Sequence, residues 1–267
     1  MNINWLIIPT LFIALLLFVI GEKSIKKCRA RGSRVVLSAF WFFFGTPGFL
    51  MVLYYLHWFD NATWFYEFRS FPLIELSASA TGLFAGALAE LMKGSILFPK
   101  PVFISVLFLG IAAPYLKPVL APLPKEQFAD RWRDDVCLQS TPSSCGAASA
   151  ATIFRVYGIN LREMEIAEEC FTYHGGTENW YIARAFRKRG FTVNYRIEND
   201  FPLDLKVPVI AGVRVGNFGH FIAIVEESNG KYITGDPLKG RQEIPIQTIE
   251  KEFNFTGFFM EINQLIQ

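Results

Sequence analysis

The amino-acid sequence predicts a helical membrane region of about four transmembrane helices, followed by an α+β domain with helices packed on an antiparallel sheet. Three observations carry this reading. Of 267 residues, 52% are hydrophobic and 27 are phenylalanine, above the ordinary range of a soluble chain. Charge is unevenly spread: residues 1–122 hold ten basic and five acidic side chains, residues 123–267 sixteen and nineteen. After the Pro-rich stretch APLPKEQ at 121–127, short helical patterns give way to short β-branched and aromatic runs. The expected division is a transmembrane region over 1–122 and a second domain over 123–267, whose roughly 145 residues suffice to bury a core of their own.

Four apolar runs define the first region. Residues 3–20, INWLIIPTLFIALLLFVI, are uncharged and long enough to cross a hydrocarbon core of about 30 Å. Their basic flank follows the run instead of preceding it, and IGEKS is a poor cleavage site, so a retained anchor is expected, not a signal peptide. Residues 35–56 form a second run, interrupted by Gly45, Pro47 and Gly48, a kink that a spanning helix tolerates. Residues 72–91 form a weaker third run with Glu75 and Glu90 near its ends; its Gly82-x-x-x-Gly86 spacing permits close helix contact, and a helix that never crosses is the alternative. Residues 102–121 form the fourth, with Lys117 able to snorkel. The connection at 21–34 carries Lys23, Lys26, Lys27, Arg29, Arg31 and Arg34 against one Glu, so the positive-inside tendency makes it cytoplasmic. With four spans, residues 123–267 lie outside the cytoplasm; if the third fails to span, they lie in the cytosol.

In the second half, residues 145–157, 161–170 and 177–189 read as helices. The runs FTVNYRI, VPVIAGVRV, HFIAIVEE, KYITGD and GFFMEI read as strands between Gly, Asn, Asp and Pro turns. Helices first and strands later predict helices on one side of an antiparallel sheet. A net charge of +2 without a basic, aromatic-studded face argues against a nucleic-acid partner. Four cysteines with no C-x-x-C pair are too few for a disulfide scaffold and unsuited to structural zinc, so neither metal nor organic cofactor is expected. Cys137 and Cys170 are able to pair if their half lies in an oxidising compartment.

One stretch carries chemistry: CLQSTPSSCGAASA, residues 137–150. Cys145 sits where a turn-rich segment becomes a helix, and the unpaired N–H groups of a helix start favour thiolate over thiol. A cysteine there is also met as inert core. Gln139, six residues earlier, is placed to fold back and form an oxyanion hole with the Cys145 backbone N–H; the alternative is a solvated loop glutamine. Among three histidines, His220 at the opening of a strand is the best base. His57 falls in a membrane run, and His174 in YHGGT is a rival. Asp236 ends the next strand, where a hairpin brings it beside His220 to hold the imidazole tautomer; GDP is otherwise a simple turn. The joint order Gln, Cys at +6, His, Asp decides for a thiol hydrolase.

With those residues in place, LQSTPSSCGAASAATIFRVYGIN, GHFIAIVEE and YITGDP resemble the bacteriocin-processing, double-glycine-leader cysteine peptidases, a papain-like group often found as the N-terminal domain of peptide-exporting transporters. The resemblance covers roughly residues 130–265. It implies Cys145 as nucleophile, His220 as general base, Asp236 as its orienter and Gln139 as oxyanion donor. Two departures stand out: Ser144 replaces the acidic residue many relatives carry before the cysteine, and membrane helices precede the domain with no transporter core behind it.

The expected protein is therefore a bacterial integral membrane protein. Its papain-like domain, extracytoplasmic or alternatively cytosolic, cleaves a peptide or protein precursor after small residues such as Gly-Gly. Its expected partners are that substrate, the lipid bilayer and a membrane protein. An idle peptidase-like domain that holds leader peptides for a membrane partner is the alternative.

Overall fold

A computed structural model describes residues 3–53, 58–59, 61–96 and 99–264; His57 lies outside the described residues. The chain divides into two compact units. One comprises Asn4–Asp60 and Pro72–Leu116, the other Met1–Ile3, Asn61–Phe71 and Lys117–Gln267.

The first unit is helical: α1 (Ile7–Lys27), α2 (Arg31–Leu53), α4 (Thr81–Leu91) and most of α5 (Lys100–Leu120); the intervening α3 (Thr63–Ser70) belongs to the other unit. Apolar side chains such as Phe12, Phe43 and Leu109 are exposed, as expected of surfaces that meet lipid instead of water. Two helices, Ile7–Lys27 and Arg31–Met51, are long and apolar enough to cross a membrane, about 32 Å each at 1.5 Å per residue. The expected count of four is corrected here. The third run opens as a 3-10 helix, Ile74–Ala80, and continues as the 11-residue α4; it passes as a span only when joined with Thr63–Ser70 as one broken span, so the described residues hold two candidate spans, or up to three on that count. In the fourth, the apolar stretch is the shorter Lys100–Ala113. The glycine spacing does what close packing needs: a Cβ at Gly82 would sit 2.2 Å from the Ala14 carbonyl oxygen and one at Gly86 1.9 Å from that of Phe18, so α1 and α4 touch backbone to backbone.

The second unit holds α3, α6 (Cys145–Val156), α7 (Glu163–Glu169), α8 (Asn179–Arg187) and α9 (Ile249–Glu252), with a small ribbon of β1 (Arg131–Arg133) and β2 (Val136–Leu138). Its main sheet is built from β3 (Phe191–Ile197), β4 (Val209–Val215), β5 (Phe218–Ser228), β6 (Lys231–Asp236), β7 (Gly240–Pro245) and β8 (Asn254–Gln264). All neighbours pair antiparallel, in the order β3-β8-β4-β5-β6-β7. Helices against an antiparallel sheet is the predicted class. Alternation along the strands sends Val209, Ala211, Val213, Ile222, Ile224, Tyr232 and Phe259 into one cluster, the sheet's half of the core.

The helix α3, from the connection after α2, completes this unit. Tyr66 packs on Tyr195 and Phe258 with ring centroids 5.4 and 5.6 Å apart, and Ser70 Oγ lies 2.8 Å from the Tyr195 hydroxyl. The Arg69 guanidinium stacks 4.4 Å above the Trp180 ring, and Arg187 pairs with Glu67 at 2.6 Å.

Candidate active site

Three elements converge on the site, and sequence chemistry explains each. The helix α6 reads CGAASAATIFRV. Its alanines 147, 148, 150 and 151 are fully buried, so the helix lies close to its neighbours. A Cβ at Gly146 would meet Ile182 Cδ1 at 3.0 Å and Thr177 Cβ at 3.1 Å, which explains why the residue after Cys145 carries no side chain. Two hydroxyls inside this apolar helix fix its place. Ser149 Oγ donates to the Phe221 carbonyl at 3.0 Å, and Thr152 Oγ1 accepts from the Cys137 N–H at 3.0 Å. Cys145 begins the first turn, where N–H groups have no partner within the helix.

The second element is the β5–β6 hairpin. Ser228 pairs with Lys231, leaving Asn229 and Gly230 as a two-residue loop with φ of 53° and 72°. Both values are positive, as a type I′ turn demands, and Asn-Gly supplies them at low cost. Ala223 stands opposite Gly235, so continuing that register sets Asp236 opposite Ile222 and diagonal to His220, on the same sheet face. His220 Nε2 and Asp236 Oδ1 are 3.0 Å apart, and Asp236 Oδ1 also accepts the Leu238 N–H at 2.8 Å. His220 and Asp236 are 7% and 2% exposed.

The third element is the turn from Gln139 to Ser144. The Gln139 N–H donates to the Pro237 carbonyl at 3.0 Å, and its side-chain Nε2 donates to the Thr141 carbonyl at 2.8 Å, leaving a second amide hydrogen. Ser144, in place of an acidic residue, closes the turn: its Oγ accepts the Thr141 N–H at 3.0 Å and donates to the Thr141 carbonyl at 3.1 Å.

Electrostatics couple the first two elements. Burial works against a charged imidazole at His220 and is the largest single influence. Hydrogen bonds to Asp236 and Cys145, with the negative charge both can carry, outweigh it and hold the His220 pKa up at about 9. Burial likewise works against the Asp236 carboxylate, but the hydrogen bonds from His220 and the Leu238 N–H prevail and keep its pKa below the usual range. Cys137 and Cys170 are free, fully buried thiols, and burial pushes both far up.

Cys145, His220 and Gln139 line one groove of about 810 Å³, together with Ser140 to Ser143, His174 to Gly176, Val215, Phe218, Gly219 and Leu238. Among the described lining residues none carries a carboxylate, ammonium or guanidinium. His174, the rival base, lies on the groove wall: its N–H donates to the Ala121 carbonyl at 2.9 Å, and its carbonyl accepts from Ser143 Oγ at 2.5 Å. The imidazole that bonds a carboxylate is His220, and it lines the same groove as Cys145. Sequence reasoning missed the fixing groups Ser149 and Thr152, as well as Glu163, which accepts the Ser140 N–H of the third element at 2.9 Å; the signal available for the first two is a hydroxyl inside an otherwise apolar helix.

Residues 133–264 match the peptidase C39 family. Over 116 residues the chain is 31% identical to an uncharacterized protein of Methanothermobacter marburgensis, a match covering 43% of this chain and 80% of that one. It is 28% identical over 135 residues to the probable functional amyloid protease FapD of Pseudomonas aeruginosa, covering 45% of this chain and 57% of the relative. Among solved structures, the peptidase domain of Streptococcus ComA, a bi-functional ABC transporter involved in quorum sensing, aligns at 24% identity and a TM-score of 0.42 over 48% of this chain and 96% of that domain. A double glycine motif protease from an AMS/PCAT transporter, solved with its leader peptide, aligns at 24% identity and a TM-score of 0.42, over 49% of this chain and 91% of that one.

Proposed function

We propose that this chain, which belongs to the peptidase C39 family, is a membrane-anchored cysteine peptidase that cleaves a peptide or protein precursor after small residues, at Gly-Gly-like junctions. The observation that carries the reading is the trio itself: an imidazole bonded at 3.0 Å to a buried carboxylate and lining the same groove as the thiol that opens a helix. Apart from His220 and Cys145 themselves, the described lining residues of the groove carry no charge, which suits an uncharged stretch of extended peptide.

In the proposed reaction the imidazolium of His220 stabilises negative charge on the Cys145 sulfur, which attacks the scissile carbonyl carbon. The oxyanion of the tetrahedral adduct is met by the Cys145 backbone N–H and the remaining amide hydrogen of Gln139. The adduct collapses as the C–N bond breaks, and His220 gives its proton to the leaving amine. A water molecule, losing its proton to His220, then attacks the thioester; a carboxylic acid leaves and the thiol is restored. Asp236 holds the imidazole orientation throughout.

The proposed anchors are α1 and α2, and the peptidase domain, bounded near residue 122 and completed by α3, is extracytoplasmic. The basic residues from Lys23 to Arg34 flank the α1–α2 turn and favour the cytoplasm. The chain leaves the far end of α2 and supplies α3, a member of the same compact unit as the peptidase residues. The intervening segment therefore crosses the membrane twice or not at all, and the assignment does not depend on whether it spans. A reporter fused after residue 267 tests this, and a cytosolic signal overturns it.

Incubating the full-length protein with a peptide library carrying Gly-Gly and Ala-Gly junctions tests the activity. Cleavage by the wild type that vanishes in Cys145→Ala is expected; equal cleavage by both overturns the assignment.

A further inference from the structure

Beneath the turn that presents Gln139 lies a carboxylate that the mechanism above does not use. Glu163, the first residue of α7, is 0% exposed. One of its oxygens accepts the Ser140 backbone N–H at 2.9 Å; the other accepts the Ser140 hydroxyl in a short hydrogen bond. The same hydroxyl accepts the Ala129 N–H at 2.9 Å. A buried carboxylate is costly unless its oxygens are satisfied, and here both are spent on a single residue, the one between Gln139 and Thr141. That residue is the pivot of the turn. Its predecessor contributes the side-chain amide facing the groove, and its successor carries the carbonyl on which that amide rests, at 2.8 Å. Charge-assisted bonds to one carboxylate are stronger and shorter than neutral ones, so the clamp fixes the pivot more firmly than the turn's own contacts do.

We propose that Glu163 is a positioning residue for oxyanion stabilisation: by clamping Ser140 through its N–H and hydroxyl, it holds the Gln139 amide where negative charge develops in the tetrahedral adduct. The inference rests on the peptidase reading. Glu163 touches neither Cys145 nor His220, so it acts on the oxyanion side of the site and leaves the thiol–imidazole pair alone.

The test uses full-length protein in detergent and three measurements on wild type and Glu163→Gln: steady-state cleavage of a Gly-Gly peptide, inhibition by a peptidyl aldehyde ending in Gly-Gly, and the rate of Cys145 alkylation by iodoacetamide. An aldehyde adduct places an oxyanion in the hole, whereas alkylation is a displacement at carbon that makes none. In Glu163→Gln, kcat is expected to fall about 10²-fold, the scale of one lost oxyanion donor, with KM changed less than about threefold, aldehyde affinity reduced in parallel and the alkylation rate unchanged. Unaltered kcat and aldehyde affinity overturn the proposal, as does a loss of alkylation equal to the loss of kcat. If the Glu163→Gln variant does not fold, Ser140→Ala, which removes the hydroxyl half of the clamp, decides by the same pattern: a tenfold lower kcat with normal alkylation supports the proposal, and an unchanged kcat overturns it. Wild type that neither cleaves nor binds the aldehyde overturns the peptidase reading and this inference together; an active wild type matched by both variants overturns this inference alone.

Discussion

Ser149 Oγ donates a hydrogen bond at 3.0 Å to the carbonyl oxygen of Phe221, tying the helix of the proposed nucleophile to the strand of its proposed base one residue beyond His220. The bond is part-buried and joins residues 72 positions apart, so its loss acts on both stability and alignment. Ser149→Ala is expected to lower unfolding free energy by about 1 kcal/mol and reduce kcat with little change in KM. Thermal unfolding in detergent and steady-state kinetics check both; unchanged values in each would show that the packing of α6 alone sets the distance.

Asp236→Asn replaces an acceptor of the imidazole N–H by a group that presents a donor or a weaker acceptor, and weakens the bond from the Leu238 N–H. By analogy with orienting carboxylates elsewhere, kcat is expected to fall roughly 10²–10⁴-fold. The measurement is kcat on a Gly-Gly peptide, and a fall of less than tenfold contradicts the orienting role.

The pH profile follows from the same pair. The His220 pKa stands at about 9, and the imidazolium must be present to protonate the leaving amine, so cleavage is expected to hold through neutral pH and decline as pH rises through about 9. Removing the Asp236 charge takes away support for the imidazolium, moving that decline to lower pH in Asp236→Asn. The stability linkage has matching signs. The raised His220 pKa contributes stability below its unfolded value of about 6.5 that is lost as pH rises through about 9. The lowered Asp236 pKa contributes stability present above about 3.8 that is lost as pH falls further.

Thiol labelling distinguishes the three cysteines of the peptidase unit. Cys137 and Cys170 are sealed and their thiols pushed up by burial, whereas Cys145 faces the groove beside an imidazolium. Iodoacetamide at pH 6 is expected to modify Cys145 first, with the rate falling at least tenfold in His220→Ala. Mass spectrometry of the labelled peptides reads the order.

Tyr66→Ala removes a ring packed on both Tyr195 and Phe258. A loss of about 3 kcal/mol is expected, expressed as early melting of the C-terminal domain although the substitution lies between the hydrophobic helices.

Much of this site was legible because its chemistry is local. A cysteine after turn residues and before a run of alanines makes a helix start; the strand at 191–197 alternates at period two, and those at 209–215 and 231–236 are short runs rich in β-branched and aromatic side chains. The pairing of His220 with Asp236 needs only a hairpin, which Asn229 and Gly230 provide. Other features leave no such trace. The strand β7, GRQEIP, is polar because it lies at the sheet edge, so alternation cannot reveal it. The position of β8 between β3 and β4 is a long-range pairing that no window of sequence contains. Glu163 reads as one more charge on a helix until the fold buries it. The packing of the aromatic helix α3 leaves no local trace, because the protein surface it covers is assembled from residues 100 or more positions downstream. The span count failed for a related reason: apolar composition over 72–91 does not distinguish a crossing helix from a 3-10 turn and a short helix packed through glycines.

The contribution of α3 changes what counts as a separable catalytic module. A nick in the Pro-rich stretch at 121–127 severs the peptide bond yet leaves the domain gripped by Glu67, Tyr66 and Ser70, so shedding it takes a second event that strips an aromatic helix from its surface. A cassette transplanted from residue 123 onward leaves one of its own walls behind, with Trp180, Tyr195 and Phe258 opened to water.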